Sequence, residues 1–180
     1  MIIVITRPGF FEGEAAGIAE MLHGGRADLV HIRKPDADLK AVEQLIRELP
    51  HDVYSRLVLH DHYTLARQYG LRGIHLNSRH PEPPDDWAGP VSVSCHSLQE
   101  LAEQKQKPFI YLSLSPIFDS ISKPGYTSAF TPDQLAEAHR QGIIDLRVMA
   151  LGGVTFDKMP LVRRMGFGGG MILGDAWKDE

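Results

Sequence analysis

The chain has 180 residues, 43% of them hydrophobic, and 19 basic against 23 acidic side chains leave a net charge of −4. That length predicts one domain with ample core, and charges clustered in neither sign exclude a nucleic-acid or membrane-surface role. With no basic leader, no run near about 18 apolar residues and a single Cys95, the expectation is a protein without signal or membrane segments in a reducing cytoplasm.

Eight short apolar runs recur: Met1–Thr6, Leu29–Arg33, Leu57–Asp61, Gly73–Asn77, Val91–His96, Phe109–Pro116, Leu146–Gly153 and Gly170–Gly174. Rich in Val, Ile and Leu and without alternation, they read as strands buried on both faces. After the first, Pro8-Gly9 turns the chain into Glu12–His23, where Ala16, Ile18, Ala19 and Leu22 keep helical spacing. Pro35-Asp36 opens a second helix through Leu39, Val42, Leu45, Ile46 and Leu49, and Tyr63–Tyr69 forms a brief third. The proline-rich stretch Arg79–Asp86 cannot carry a regular helix. Ser97 with Glu100 reads as a capping box for a helix to Gln106, and Thr131-Pro132 is a strong helix start. Asp157–Met165 is the next helix, and too few residues follow Gly174 for a full eighth. Eight buried strands alternating with helices predict an α/β fold, a (β/α)8 TIM barrel as a single domain over 1–180, compact because outer helices are shortened or missing. A doubly wound open sheet is the rival, but it needs fewer strands.

Barrels of this kind carry their chemistry at the C-terminal ends of the strands. The loop Ser115–Gly125, with Ser120, Ser122, Lys123 and Gly125, suits a phosphoryl group, though Ser, Lys, Pro and Gly are also ordinary in a surface loop. Gly152-Gly153, at the functional end of the seventh strand, lets backbone amides approach an anion. The triplet Gly168–Gly170 lies at the start of its strand and reads as packing. His60 and His62, taken as one strand face, form a pair able to ligate zinc, and His31, His75 and His96 close other strands. Asp61 suits magnesium if a substrate phosphate shares the ion. Cys95-His96 is no dyad, because strand neighbours face opposite ways.

In order along the chain, these segments resemble the thiamine phosphate synthase and TenI family. The carriers are His31-Ile32-Arg33-Lys34-Pro35, Leu59-His60-Asp61-His62, Gly73-Ile74-His75-Leu76-Asn77, Ser92–Ser97, the Ser115–Lys123 loop, Ala150–Val154 and the glycine-rich last strand. The resemblance implies an enzyme of thiamine biosynthesis, a transferase that joins an aminopyrimidine diphosphate to a thiazole phosphate and releases pyrophosphate, with Mg2+ as cofactor. By position it implies catalytic roles for Arg33, Ser94 and Lys123. It places His31, His60, Ser120, Ser122, Gly153, Leu173 and Gly174 at substrate and phosphate groups, and Asp61 on the metal. Partners would be small phosphorylated molecules, not nucleic acid or a membrane, and a homo-oligomer is left open.

The chain departs from the family at several charges. His31 replaces a glutamine, Pro35 a lysine, His60 an asparagine, and Ser78-Arg79-His80 an acidic stretch supplying a second metal carboxylate. Losing such contacts predicts a slow synthase, partly compensated by Arg79 or Lys34. His31-Ile32-Arg33 looks more like the TenI branch, associated with thiazole phosphate tautomerisation, but the histidine of that branch is Pro116 here. The alternatives are therefore a TenI-like thiazole or thiamine phosphate-binding protein or tautomerase and, more remotely, a zinc hydrolase using His60 and His62.

Overall fold

Each apolar run overlaps a strand shorter than itself, and the last strand begins one residue ahead of its run. The computed structural model describes residues 1–119 and 128–178. The strands are β1 (Ile2–Ile5), β2 (Leu29–Ile32), β3 (Leu57–Leu59), β4 (Gly73–Leu76), β5 (Val91–Cys95), β6 (Leu112–Leu114), β7 (Val148–Ala150) and β8 (Gly169–Ile172). They hydrogen-bond in chain order as a closed barrel. Burial at every position of β2, β3, β4, β6, β7 and β8 explains the absence of alternation: one face packs inward and the other meets helices. Leu146, expected to begin the seventh strand, is instead 81% exposed two residues before β7.

The helices are α1 (Glu14–His23), α2 (Leu39–Glu48), α3 (Tyr63–Gln68), α4 (Leu98–Gln104), α5 (Pro132–Arg140) and α6 (Met159–Arg164). No helix joins β4 to β5; the proline-rich stretch there carries only an isolated bridge between Asn77 and His80. After β8 the described chain forms a single 3-10 turn, Gly174–Trp177, anchored by the buried Trp177. Thr131 caps α5 with a full reciprocal box to Gln134. At α4 the expected box is half realised: Ser97 accepts from the Glu100 amide, but the Glu100 carboxylate takes the amide of His96 instead.

The chain packs as two compact units. In Ile2–Val91, β1 to β4 run parallel, with His31 beside Val58 and Leu59 beside Ile74. The second unit comprises Met1 with Ser92–Glu180, and within it β5 to β8 run parallel with Ser94 beside Ser113. There the Met1 ammonium donates to the Gly168 carbonyl at 2.8 Å, and the Met1 carbonyl accepts from Gly170 at 3.1 Å. A side chain on Gly169 would lie 1.9 Å from that same carbonyl, which accounts for the glycine by packing.

Candidate active site

In the Ile2–Val91 unit the strand ends gather cations around one carboxylate. Arg33 follows β2 and is fixed by Thr6, whose hydroxyl accepts from the Arg33 amide at 2.9 Å. Burial, then the nearby Arg79, lowers the pKa of its guanidinium, while Asp61 and Asp36 act in the opposite sense. Asp61 follows β3 and is 8% exposed. Its Oδ1 accepts from Arg79 Nη2 at 2.8 Å, and His80 Nε2 stands 3.3 Å from the same oxygen. Its buried Oδ2 has no hydrogen-bond partner among the described residues. Desolvating a carboxylate oxygen without a partner is costly, so Oδ2 is poised for a ligand.

Lys34 cannot supply a compensating charge. Its ammonium is buried against both Glu14 oxygens at 2.7 and 2.8 Å, bonds the Arg7 and Gly9 carbonyls, and lies 4.5 Å over the Phe10 ring. It serves the β1–α1 connection, pinning that loop from the end of β2.

The zinc pair inferred from strand alternation does not form. β3 ends at Leu59, and His62 adopts a left-handed conformation (φ 51°) before α3. Its Nε2 donates to the Ala37 carbonyl at 2.8 Å. His60 instead turns to His31 and His75, with His31 Nδ1 and His60 Nε2 2.8 Å apart. Burial first, then neighbouring imidazoles, holds His31 and His60 well below the usual histidine pKa, and burial takes His75 down to about 3. All three are neutral at physiological pH. Their meeting was missed because barrel register, not sequence spacing, brings β2, β3 and β4 together.

In the second unit the β6 and β7 ends interlock. Gly152 (φ +91°) and Gly153 (φ +62°) are left-handed, and a Cβ on Gly153 would lie 2.3 Å from the Asp119 carbonyl. Ile117 and Phe118 amides donate to the Leu151 and Gly152 carbonyls. Lys158 Nζ donates to the Gly153 carbonyl at 2.7 Å and lies 4.8 Å over the Phe118 ring. This cation beside the glycine turn was overlooked; a lysine just ahead of a helix after Gly-Gly was the available signal. Ser94 is half-buried on β5, and Leu173 and Gly174 open the turn after β8. Ser120, Ser122 and Lys123, and with them the expected anion site against Gly153, lie outside the described residues. The Cys95 thiol is buried and pushed up to about 12 by burial, so it is no nucleophile. His96 Nδ1 lies 3.1 Å from Ser115 Oγ.

Magnesium takes oxygen ligands and keeps several waters or substrate phosphates. The orphaned Asp61 Oδ2 fits one such ligand position, while Arg79 already occupies the other oxygen. The donor set fits an ion held mainly by substrate oxygens.

Fold and strand ends define a (β/α)8 barrel whose polar residues stand at the C-terminal ends of its strands. The profile of the family described as thiamine monophosphate synthase matches residues 2–173, and the chain belongs to that family. It is 27% identical over 168 residues to the thiamine-phosphate synthase of Salinibacter ruber, covering 88% of this chain and 72% of that one. A thiamine phosphate pyrophosphorylase from Bacteroides thetaiotaomicron superposes with a TM-score of 0.89 at 38% identity, covering 99% of this chain and 85% of the other. The Pyrococcus furiosus thiamine phosphate pyrophosphorylase shares the fold with a TM-score of 0.75 at 20% identity, over 98% of this chain and 90% of that one. Among the described residues no helix is long and apolar enough to cross a membrane.

Proposed function

We propose that this chain, a single barrel domain acting in the cytoplasm, joins an aminopyrimidine diphosphate to a thiazole phosphate in thiamine biosynthesis. The bond between the pyrimidine methylene carbon and the diphosphate oxygen breaks, the thiazole nitrogen supplies the electron pair for the new carbon–nitrogen bond, and pyrophosphate leaves. Catalysis of this kind stabilises charge on a departing group. Arg33 and Arg79 offset that charge, and Asp61 holds Arg79 in place through Oδ1. Magnesium, when bound at Asp61 Oδ2, would draw charge from the diphosphate oxygens. By position in the family, Ser120, Ser122, Lys123 and Gly153 are assigned to phosphate and Ser94 to the pyrimidine.

The observation that carries this reading is a buried Asp61 with one oxygen bound by a cation and the other without a partner among the described residues, in a chain of this family. With no second carboxylate seen beside Asp61 among the described residues, slow turnover and a high magnesium requirement are expected. A thiazole phosphate binder of TenI type is the second reading, favoured by the Arg79 cation that already neutralises Asp61. Titration calorimetry with thiazole phosphate, followed by a product assay with both substrates and magnesium, separates the two. Binding with turnover supports the synthase, and binding without turnover leaves the binder.

A further inference from the structure

Three imidazoles given no step in the reaction proposed above converge inside the Ile2–Val91 unit, two of them, His31 and His60, at positions the family resemblance assigns to substrate. They are His31 from β2, His60 just after β3 and His75 from β4, exposed by 0%, 4% and 0%. One ring nitrogen of each lies within 4.8 Å of the others. The His60 and His75 rings stack at 4.4 Å, and His31 lies 5.0 and 4.9 Å from them between centroids. A hydrogen bond explains the approach of His31 to His60. A third imidazole reaches the same point, so three nitrogen donors converge as in a three-histidine zinc site.

We propose that His31, His60 and His75 bind one zinc-class divalent ion, with a fourth position left for water or a ligand oxygen. Imidazole suits zinc, cobalt, nickel and copper, whereas magnesium prefers oxygen, so this site is separate in chemistry from the Asp61 oxygen. Zinc–nitrogen bonds of about 2.0–2.1 Å place tetrahedral ligand nitrogens roughly 3.3 Å apart. The ligand nitrogens now lie within 4.8 Å of one another, so an ion would draw them to that spacing. The supporting contacts are built in. Asn77 Nδ2 donates to the His60 carbonyl at 3.0 Å and lies 3.4 Å from the His75 carbonyl, while Tyr63 Oη donates to the His75 carbonyl at 2.8 Å. These contacts hold the backbone at two of the three histidines in place. The inference stands on this geometry and does not depend on the synthase reading.

The test uses the full chain stripped of metal and titrated with Co2+, then Zn2+. One Co2+ per chain with the visible absorption of a tetrahedral nitrogen site, displaced by Zn2+, is expected. His31→Gln and His75→Gln should weaken Co2+ binding at least tenfold, whereas His62→Gln and Asp61→Asn retain it. If the histidine variants do not fold, imidazole NMR of the unmodified chain decides: zinc should shift three histidine rings and leave the other six. No stoichiometric ion, or loss of binding in Asp61→Asn but not in the histidine variants, overturns the proposal and leaves a hydrogen-bonded core cluster.

Discussion

At the residue scale, two ion pairs of the same unit do different work because their surroundings differ. Lys34 and Glu14 are both almost fully buried, and every strong contact of the ammonium is internal. Removing one partner of such a pair leaves a buried charge without its counter-ion, at a cost of about 3–5 kcal/mol. Glu14→Ala should therefore lower unfolding free energy by that amount in urea melts. The Asp61–Arg79 pair is partly open, with the arginine side chain 37% exposed, so it is free to exchange partners with a ligand. Arg79→Ala should lower the magnesium concentration for half-maximal rate, by freeing Asp61, and raise KM for the diphosphate substrate. A fall in both, or a rise in both, would mean that Arg79 does not hold this dual position. His80 stands 3.3 Å from Asp61 Oδ1. His80→Asp would place a second carboxylate beside the first and should raise activity at low magnesium.

At the scale of elements, local chemistry was readable and convergence was not. The start of α5 was legible because Thr131, Pro132 and Gln134 act within one turn. The missing helix between β4 and β5 was legible because proline lacks the amide that a helix interior needs. His62 was misplaced because strand alternation was extended beyond Leu59, where the backbone turns left-handed instead. The histidines were legible as strand ends, but not which of them meet, since His31 and His60 are 29 residues apart and are joined through strand register. The β7 turn gives a test at this scale. Gly153→Ala adds a Cβ 2.3 Å from the Asp119 carbonyl at positive φ. Overpacking and strain each cost about 1–3 kcal/mol. A loss of about 2 kcal/mol or more in urea melts is expected, and a neutral result would show that the β6 and β7 ends separate freely.

At the scale of the whole molecule, the barrel interior imposes a pH dependence. The folded state keeps His31, His60 and His75 neutral by burial, with His75 held down to about 3, whereas unfolded histidines titrate near 6.5. Below about 6.5 the unfolded chain therefore binds protons that the folded chain refuses, and stability falls with pH until the folded imidazoles themselves titrate. Each imidazole contributes about 1.4 kcal/mol per pH unit in that window. In the presence of a chelator, the urea midpoint should be flat above about pH 7 and fall steeply below about pH 6. A midpoint unchanged down to pH 4 would place the charged imidazoles in solvent instead. The eight-strand order itself was legible because buried parallel strands show continuous apolar runs, whereas strand ends were not, because Leu146 is apolar yet exposed.

Asp61 is the proposed site of magnesium-assisted departure of pyrophosphate. The direct measurement is the rate of thiamine phosphate formation from both substrates across a magnesium titration, for the unmodified chain and Asp61→Ala. Slow turnover that requires magnesium is expected, unsaturated at concentrations sufficient for a two-carboxylate site, with a fall of about 10²–10³ in Asp61→Ala. Turnover that is independent of magnesium, or equal in the Asp61→Ala chain, would contradict that role.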